Sequence, residues 1–152
     1  MIINWEEVFT SGFTLAPNTI IEVWKDSTTL NEVARAGYGT LLAYNWYLDH
    51  LSASWEDFYN NEPDNGQLNS EQLANILGGE TCMWAEKVDA TNFDAKVWPR
   101  NSAAAERLWS PKDTTNLDSA QVRLSFHRCR LNNREIEASP INAGPPCSSY
   151  YL

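Results

Sequence analysis

The sequence predicts an α/β fold with about four parallel strands and flanking helices. Apolar and β-branched runs alternate with stretches of helical spacing, the pattern of a parallel sheet with right-handed crossovers. Three of those runs end on tryptophan, at Trp5, Trp24 and Trp84. The helical stretches carry start and stop signals of their own. Four such units are either a small open α/β domain or half of an eight-unit (β/α)8 barrel, which needs about 250 residues. An open four-strand sheet would leave two edges prone to aggregation.

Met1 to Trp5 reads as a short buried strand, followed by a connection with a helical turn that closes at Pro17-Asn18. Thr19-Ile20-Ile21-Glu22-Val23-Trp24 is a β-branched run and the clearest strand. Thr29-Leu30-Asn31-Glu32 matches a capping box, Leu30, Val33 and Ala34 have helical spacing, and Gly37 sits where a helix ends. Tyr38 to Tyr44 is the third strand and runs into Asn45-Trp46-Tyr47-Leu48-Asp49-His50, too polar and aromatic to be core throughout. Residues 52–75 read as loop and short helix, with a turn at Asp64-Asn65-Gly66 and a helix start at Asn69 to Gln72. Ile76 to Trp84 is the fourth strand. Pro99 opens a helix that reaches Trp109, and a second spans roughly 116–135 with Leu117, Ala120, Leu124 and Leu131 on one face. From Ser139 the chain is irregular.

The 152 residues have a formal net charge of −9. Such a chain repels phosphate backbones and lacks the basic cluster that favours an anionic membrane surface, so nucleic acid and membrane are poor partners. No apolar run is long enough to span a bilayer. The N-terminus has neither the basic nor the long apolar region of a signal peptide. Of the three cysteines, Cys129 and Cys147 bracket a stretch holding Pro140, Gly144, Pro145 and Pro146. A bond there would close a loop and contribute roughly 3 kcal/mol; three free thiols in a reducing compartment are the alternative.

Seven tryptophans, with six tyrosines and five phenylalanines, are the unusual feature. Ligands of parallel α/β sheets bind at the carboxyl ends of the strands. Trp5, Trp24, Tyr47, Asp49, Trp84 and Glu86 are therefore expected at one mouth. If the fourth strand runs to its end, its period of two puts Trp84 and Glu86 on one side. Aromatic faces with ionised acceptors suit a ligand that is apolar on one side and hydroxylated on the other, as a sugar is. A buried strand that happens to end on Trp and Glu is the plainer reading of that stretch.

The motifs Trp5-Glu6-Glu7-Val8-Phe9, Thr19-Ile20-Ile21-x-Val23-Trp24, Trp46-Tyr47-Leu48-Asp49, Gly78-Gly79-Glu80-x-Cys82-Met83-Trp84-x-Glu86, Val97-Trp98-Pro99-Arg100, Ala105-Glu106-Arg107-Leu108-Trp109-Ser110 and His127-Arg128-Cys129 together resemble the C-terminal part of the β-N-acetylhexosaminidases. These are family-twenty glycoside hydrolases of the eukaryotic lysosomal type. The resemblance covers nearly the whole chain. It implies the C-terminal half of a (β/α)8 catalytic barrel over residues 1–152, with 136–152 an irregular, disulfide-tethered tail and the first strands and N-terminal domain absent. It also implies hydrolysis of terminal N-acetylglucosamine or N-acetylgalactosamine without metal or cofactor, a lysosomal or secreted location, and a homodimer in the full-length enzyme. The substrate's own acetamido oxygen is the nucleophile in this family. By matching position, Trp5, Trp24 and Trp84 would wall the acetamido and ring pocket, Tyr47 would donate to the acetamido oxygen, and Asp49 and Glu86 would hold sugar hydroxyls. Cys129 and Cys147 match a disulfide, and Cys82 a cysteine left outside it.

The chain departs from the family in one decisive respect. The catalytic pair is an adjacent Asp-Glu on an earlier strand, and no Asp-Glu dipeptide occurs here; Glu56-Asp57 has the reverse order. The isolated chain is therefore expected to be inactive. The alternatives are a non-catalytic N-acetylhexosamine-binding half-barrel and a structural half that needs an N-terminal partner chain. Ala53 stands where dimeric animal relatives often have a Tyr that reaches the neighbouring subunit. His50 reads as a rim residue or a tuner of preference for charged substrates, His127 as structural, and Glu6 and Glu7 as helix-start or surface charges.

Overall fold

The computed structural model describes residues 1–142 and Cys147. In chain order the elements are β1 (Ile2–Trp5), α1 (Glu7–Thr10), β2 (Thr19–Val23), α2 (Ser27–Arg35), β3 (Gly39–Leu42), α3 (Trp55–Asn60), α4 (Ser70–Leu73), β4 (Ile76–Gly79), α5 (Phe93–Val97), α6 (Arg100–Trp109) and α7 (Leu117–Asn132). They divide into two compact units, Met1–Trp46 with Glu62–Glu80, and Tyr47–Asn61 with Thr81 onward. None of the helices described is long and apolar enough to cross a membrane.

The first unit holds the sheet, four parallel strands in the order β1-β2-β3-β4. All five residues of β2 are buried, as expected of a β-branched strand with neighbours on both sides. Leu30, Val33 and Ala34 are the apolar stripe of α2, fully buried, and α2 packs against β2 and β3. Its cap is Asp26, whose side chain accepts from the Thr29 amide at 2.8 Å, so the helix starts earlier than the Thr29–Glu32 capping box predicts. Gly37 follows it at φ +85°, the left-handed position that ends a helix. α4 starts where the sequence predicts a helix start, and Asn69 and Gln72 cap it reciprocally.

Two strands differ from expectation. β1 is an edge strand, and Ile2 and Ile3 are 61% and 51% exposed rather than buried. β4 stops at Gly79, not Trp84. Its register against β3 slips between Thr40 and Leu41, leaving Leu77 out of the ladder, and Gly78 has φ +143°, which side chains rarely adopt. Gly79 has a separate reason to be glycine. A Cβ there would collide with the Leu42 carbonyl oxygen and the Trp46 indole. Trp46 is fully buried over that bare backbone, so the aromatic stretch after β3 starts as core.

The second unit is helical. α6 packs against α3, α5 and α7. Its core includes Trp55, Phe58, Ala103, Ala104, Ala120 and Leu124. Tyr59 on α3 donates its hydroxyl to Glu106 on α6 at 2.9 Å, and Arg123 on α7 pairs with the same carboxylate. Ser54 and Asp57 cap α3 reciprocally. α6 and α7 lie where the sequence predicts them. Leu117 is only half-buried, and Cys129 joins Ala120, Leu124 and Leu131 in the core. Cys129 is bonded to Cys147, and Cys82 is a buried thiol outside any disulfide. Residues 136–142 form no helix or strand; the rest of the expected irregular tail, Cys147 apart, lies outside the described residues.

Candidate functional site

Two of the expected site residues sit at the carboxyl edge of the sheet. Trp5 ends β1, and Trp24 directly follows β2; the strands are parallel neighbours, so both reach the same edge. Trp5 registers with Glu22, and register partners in a parallel pair project to one face. Consecutive glutamates anchor Trp24. Glu6 is 1% exposed, and its Oε2 accepts from the Trp24 amide at 3.0 Å and the Lys25 amide at 3.2 Å. Glu7 Oε1 accepts from the Trp24 indole Nε1 at 3.0 Å and lies 2.7 Å from Lys25 Nζ. The Lys25 ammonium also lies over the Trp24 ring, 5.2 Å from its centroid. Glu6 and Glu7 do stand at the start of α1, and Glu7 is exposed, as the sequence suggests; Glu6 is buried, and both acids also bind the end of β2. Their signal was adjacency: two acids straight after a strand-end tryptophan face the end of the next strand.

One step down the same face lies a carboxyl pair that sequence reasoning missed. Glu22 is buried on β2 and shares a hydrogen bond with Glu80, the residue after β4. Burial first, then the Glu80 hydrogen bond and charge, pushes the Glu22 carboxyl up to about 8. At neutral pH the Glu22 carboxyl therefore keeps its proton. Its Oε1 is a buried acceptor without a hydrogen-bond partner.

The second unit carries the other site residues. Tyr47 is buried and forms an isolated parallel bridge with Cys82, and the Leu48 amide donates to the Cys82 carbonyl at 2.7 Å. The Tyr47 ring stacks on His50, with centroids 5.5 Å apart. Asp49 has a buried Oδ1 with no hydrogen-bond partner. An unpaired buried carboxylate oxygen is unfavourable unless something donates to it. The segment is held from behind by Arg100, the first residue of α6. Its guanidinium donates to the carbonyls of Leu48, His50 and Ala53 and lies over the Phe58 ring. Burial disfavours the Arg100 charge, and the Asp49 carboxylate opposes that effect.

Trp84 and Glu86 are placed differently from the strand-based expectation. Both lie beyond the end of β4, in irregular backbone, and both are exposed, Trp84 at 46%. The alternation that would align them does not operate outside a strand. The Cys82 bridge still sets the start of this loop beside Tyr47. His50 is exposed; His127 is half-buried on α7, its imidazole pushed down by burial and by Arg130 and Arg134.

Residues 1–112 match the family described as "Glycosyl hydrolase family 20, catalytic domain". This chain belongs to glycosyl hydrolase family 20. It is 44% identical to the β-hexosaminidase subunit beta of Rattus norvegicus over 147 residues, which is 93% of this chain and 27% of the rat protein. It is 46% identical to the human subunit beta, covering 93% of this chain and 26% of that one. The chain thus spans about a quarter of the length of these relatives. A chitobiase of Flavobacterium johnsoniae superposes with a TM-score of 0.79 at 33% identity, covering 88% of this chain and 21% of that one. The four parallel strands and flanking helices are accordingly part of the family-20 barrel, as the sequence predicts.

Proposed function

We propose that this family-20 chain supplies the sugar pocket of a β-N-acetylhexosaminidase that removes terminal non-reducing N-acetyl-β-D-hexosamine with retention of configuration. The observation that carries the reading is the pair of tryptophans at adjacent parallel strand ends, with Trp24 held at both its backbone and its ring nitrogen. In this reading Trp5, Trp24 and Trp84 wall the acetamido group and the apolar ring face. Tyr47 donates to the acetamido oxygen and aims it at the anomeric carbon. Asp49 and Glu86 accept from sugar hydroxyls; the unpaired buried Oδ1 of Asp49 is an acceptor ready for one.

The acetamido oxygen then attacks the anomeric carbon while the glycosidic bond breaks, and water later opens the cyclic intermediate. The acid that protonates the leaving oxygen and the carboxylate that steadies the acetamido nitrogen belong to an Asp-Glu pair absent from these 152 residues. General acid catalysis contributes about 10²–10⁴-fold, and positioning of the nucleophile more. The chain alone therefore binds sugar and does not turn it over. In this reading the full-length enzyme works in a lysosomal or secreted setting, as a homodimer acting on glycans or glycoconjugates.

The test is N-acetylglucosamine titrated into the 152-residue protein, followed by tryptophan fluorescence, alongside a chromogenic N-acetylglucosaminide assay. A saturable response that Trp24→Ala abolishes, with no release of chromophore, is expected. Release of chromophore would overturn the division of labour, and an unsaturable response would overturn the pocket.

A further inference from the structure

A tryptophan side chain at a strand end has a soft second torsion with two broad, roughly opposite preferences. Burial usually chooses between them. Trp24 is 37% exposed, so packing constrains only part of its ring. The indole has a single donor, Nε1–H. That donor points at Glu7 Oε1, 3.0 Å away, and turning the ring over would take it away from the carboxylate. The acceptor is itself fixed. Glu7 opens α1, the Ser11 hydroxyl donates to its carbonyl at 2.6 Å, and Lys25 Nζ lies 2.7 Å from the same Oε1. Lys25 closes the triangle by lying over the ring it helps to orient. Glu6 acts elsewhere. It holds the amides of residues 24 and 25, which places the backbone and does not orient the ring.

We propose that Glu7 is a positioning residue, fixing which way the Trp24 indole faces and thereby the flatness and angle of the wall offered to the acetamido-bearing side of an N-acetylated sugar. This rests on the reading of Trp24 as a pocket wall. Glu7 does not touch the sugar; it acts through the indole. The Lys25 hydrogen bond is the main reason its carboxyl sits below the ordinary carboxylate range, so the charge that holds the indole persists in mildly acidic solution.

The experiment is a nitrogen-15 spectrum of the indole N–H groups of the 152-residue protein, with the Trp24 signal assigned by its loss in Trp24→Phe. Glu7→Gln keeps an acceptor oxygen, so the Trp24 signal is expected to stay near its parent position. Glu7→Leu is expected to move it upfield and speed its exchange with water while the other indole signals stay put. N-acetylglucosamine affinity should fall about tenfold in Glu7→Leu and about twofold or less in Glu7→Gln, since one hydrogen bond to a charged group is of that order. An unmoved Trp24 signal in a folded Glu7→Leu protein overturns the proposal. Should Glu7→Leu not fold, the parent protein decides. Its Trp24 signal must titrate below the ordinary carboxylate range, and Glu7→Gln must abolish that titration; persistence of the titration in Glu7→Gln overturns the proposal. If the sugar leaves the parent Trp24 signal untouched, the pocket reading fails, while the indole response still reports whether Glu7 holds the ring.

Discussion

Arg100 holds the carbonyl oxygen of His50 at 2.9 Å, fifty residues back along the chain. The same guanidinium donates to Leu48 and Ala53, so one buried fork ties down the segment that carries Tyr47 and Asp49. A lysine ammonium carries its three donors on one atom and lacks the planar fork that reaches these carbonyls from Nη1 and Nη2. Arg100→Lys should destabilise the protein by about 2–4 kcal/mol in urea unfolding. It should also weaken the fluorescence response to N-acetylglucosamine while Trp24 stays in place. A loss below about 0.5 kcal/mol would show that the loop does not depend on the fork.

Gly79 and Gly39 look alike in sequence and differ in what a methyl group would meet. At Gly79 it would strike the Leu42 carbonyl and the buried Trp46 ring, neither of which can give way. At Gly39 it would meet no backbone: its nearest neighbours are Leu77 Cδ1 at 3.0 Å, the end of a flexible and exposed side chain, and Ile20 Cγ1 at 3.2 Å, a buried side chain that must give by a few tenths of an ångström. Gly79→Ala is expected to destabilise by about 2–3 kcal/mol and Gly39→Ala by less than about 1 kcal/mol. Equal losses in denaturant would contradict the packing of Trp46 over bare backbone.

What the sequence could reveal followed from how local each signal was. β2 and α6 were legible because a β-branched run and a proline-led alanine stretch decide their own conformation. The end of β4 was not, because a bulge at Leu77 and the positive φ of Gly78 arise from pairing with β3. The exposure of Ile2 and Ile3 depended on β1 having a neighbour on one side only. The site residues were found by type and position, but what holds them was hidden. Glu6 and Glu7 are bonded to residues 17 to 19 positions away, and Arg100 and Glu22 act through partners far more remote, 47 to 52 positions away for Arg100 and on another strand's end for Glu22. Such contacts leave no period in the sequence.

The Cys129–Cys147 bond ties the last turns of α7 to Cys147, and the same turns hold Ala138: Asn132 Oδ1 accepts from the Ala138 amide at 3.0 Å, and Arg128 Nε donates to its carbonyl at 3.1 Å. Its sequence separation of 18 corresponds to about 3 kcal/mol of lost freedom in the unfolded chain. Cys147→Ser, or a thiol reductant, should lower the urea midpoint accordingly. The reductant should leave Cys147→Ser unchanged, since Cys82 has no disulfide to break. Equal sensitivity of both proteins to reductant would place the stabilising bond elsewhere.

Glu22 gives the protein a pH dependence of definite sign. Its carboxyl rises from an ordinary value of 4.5 in the unfolded chain to about 8 in the fold, chiefly through burial and secondly through Glu80. The folded state therefore binds this proton more tightly than the unfolded state does. The resulting stability is fully present below about pH 4.5, erodes as the pH rises, and is gone above about 8. His127 changes stability in the other direction. Its imidazole is pushed below 6.5, so stability is lost as the pH falls through that region. Both effects enter the parent's profile, and Glu22→Gln removes one of them. The amide cannot ionise, so the variant should lose the decline between pH 5 and 8 and exceed the parent in stability at pH 8. Near pH 4.5 the two should be close, because the parent carboxyl is then protonated and similar in shape to the amide. Urea midpoints measured from pH 4.5 to 8.5 decide it: parallel profiles for parent and Glu22→Gln would mean that the buried carboxyl ionises like an exposed one.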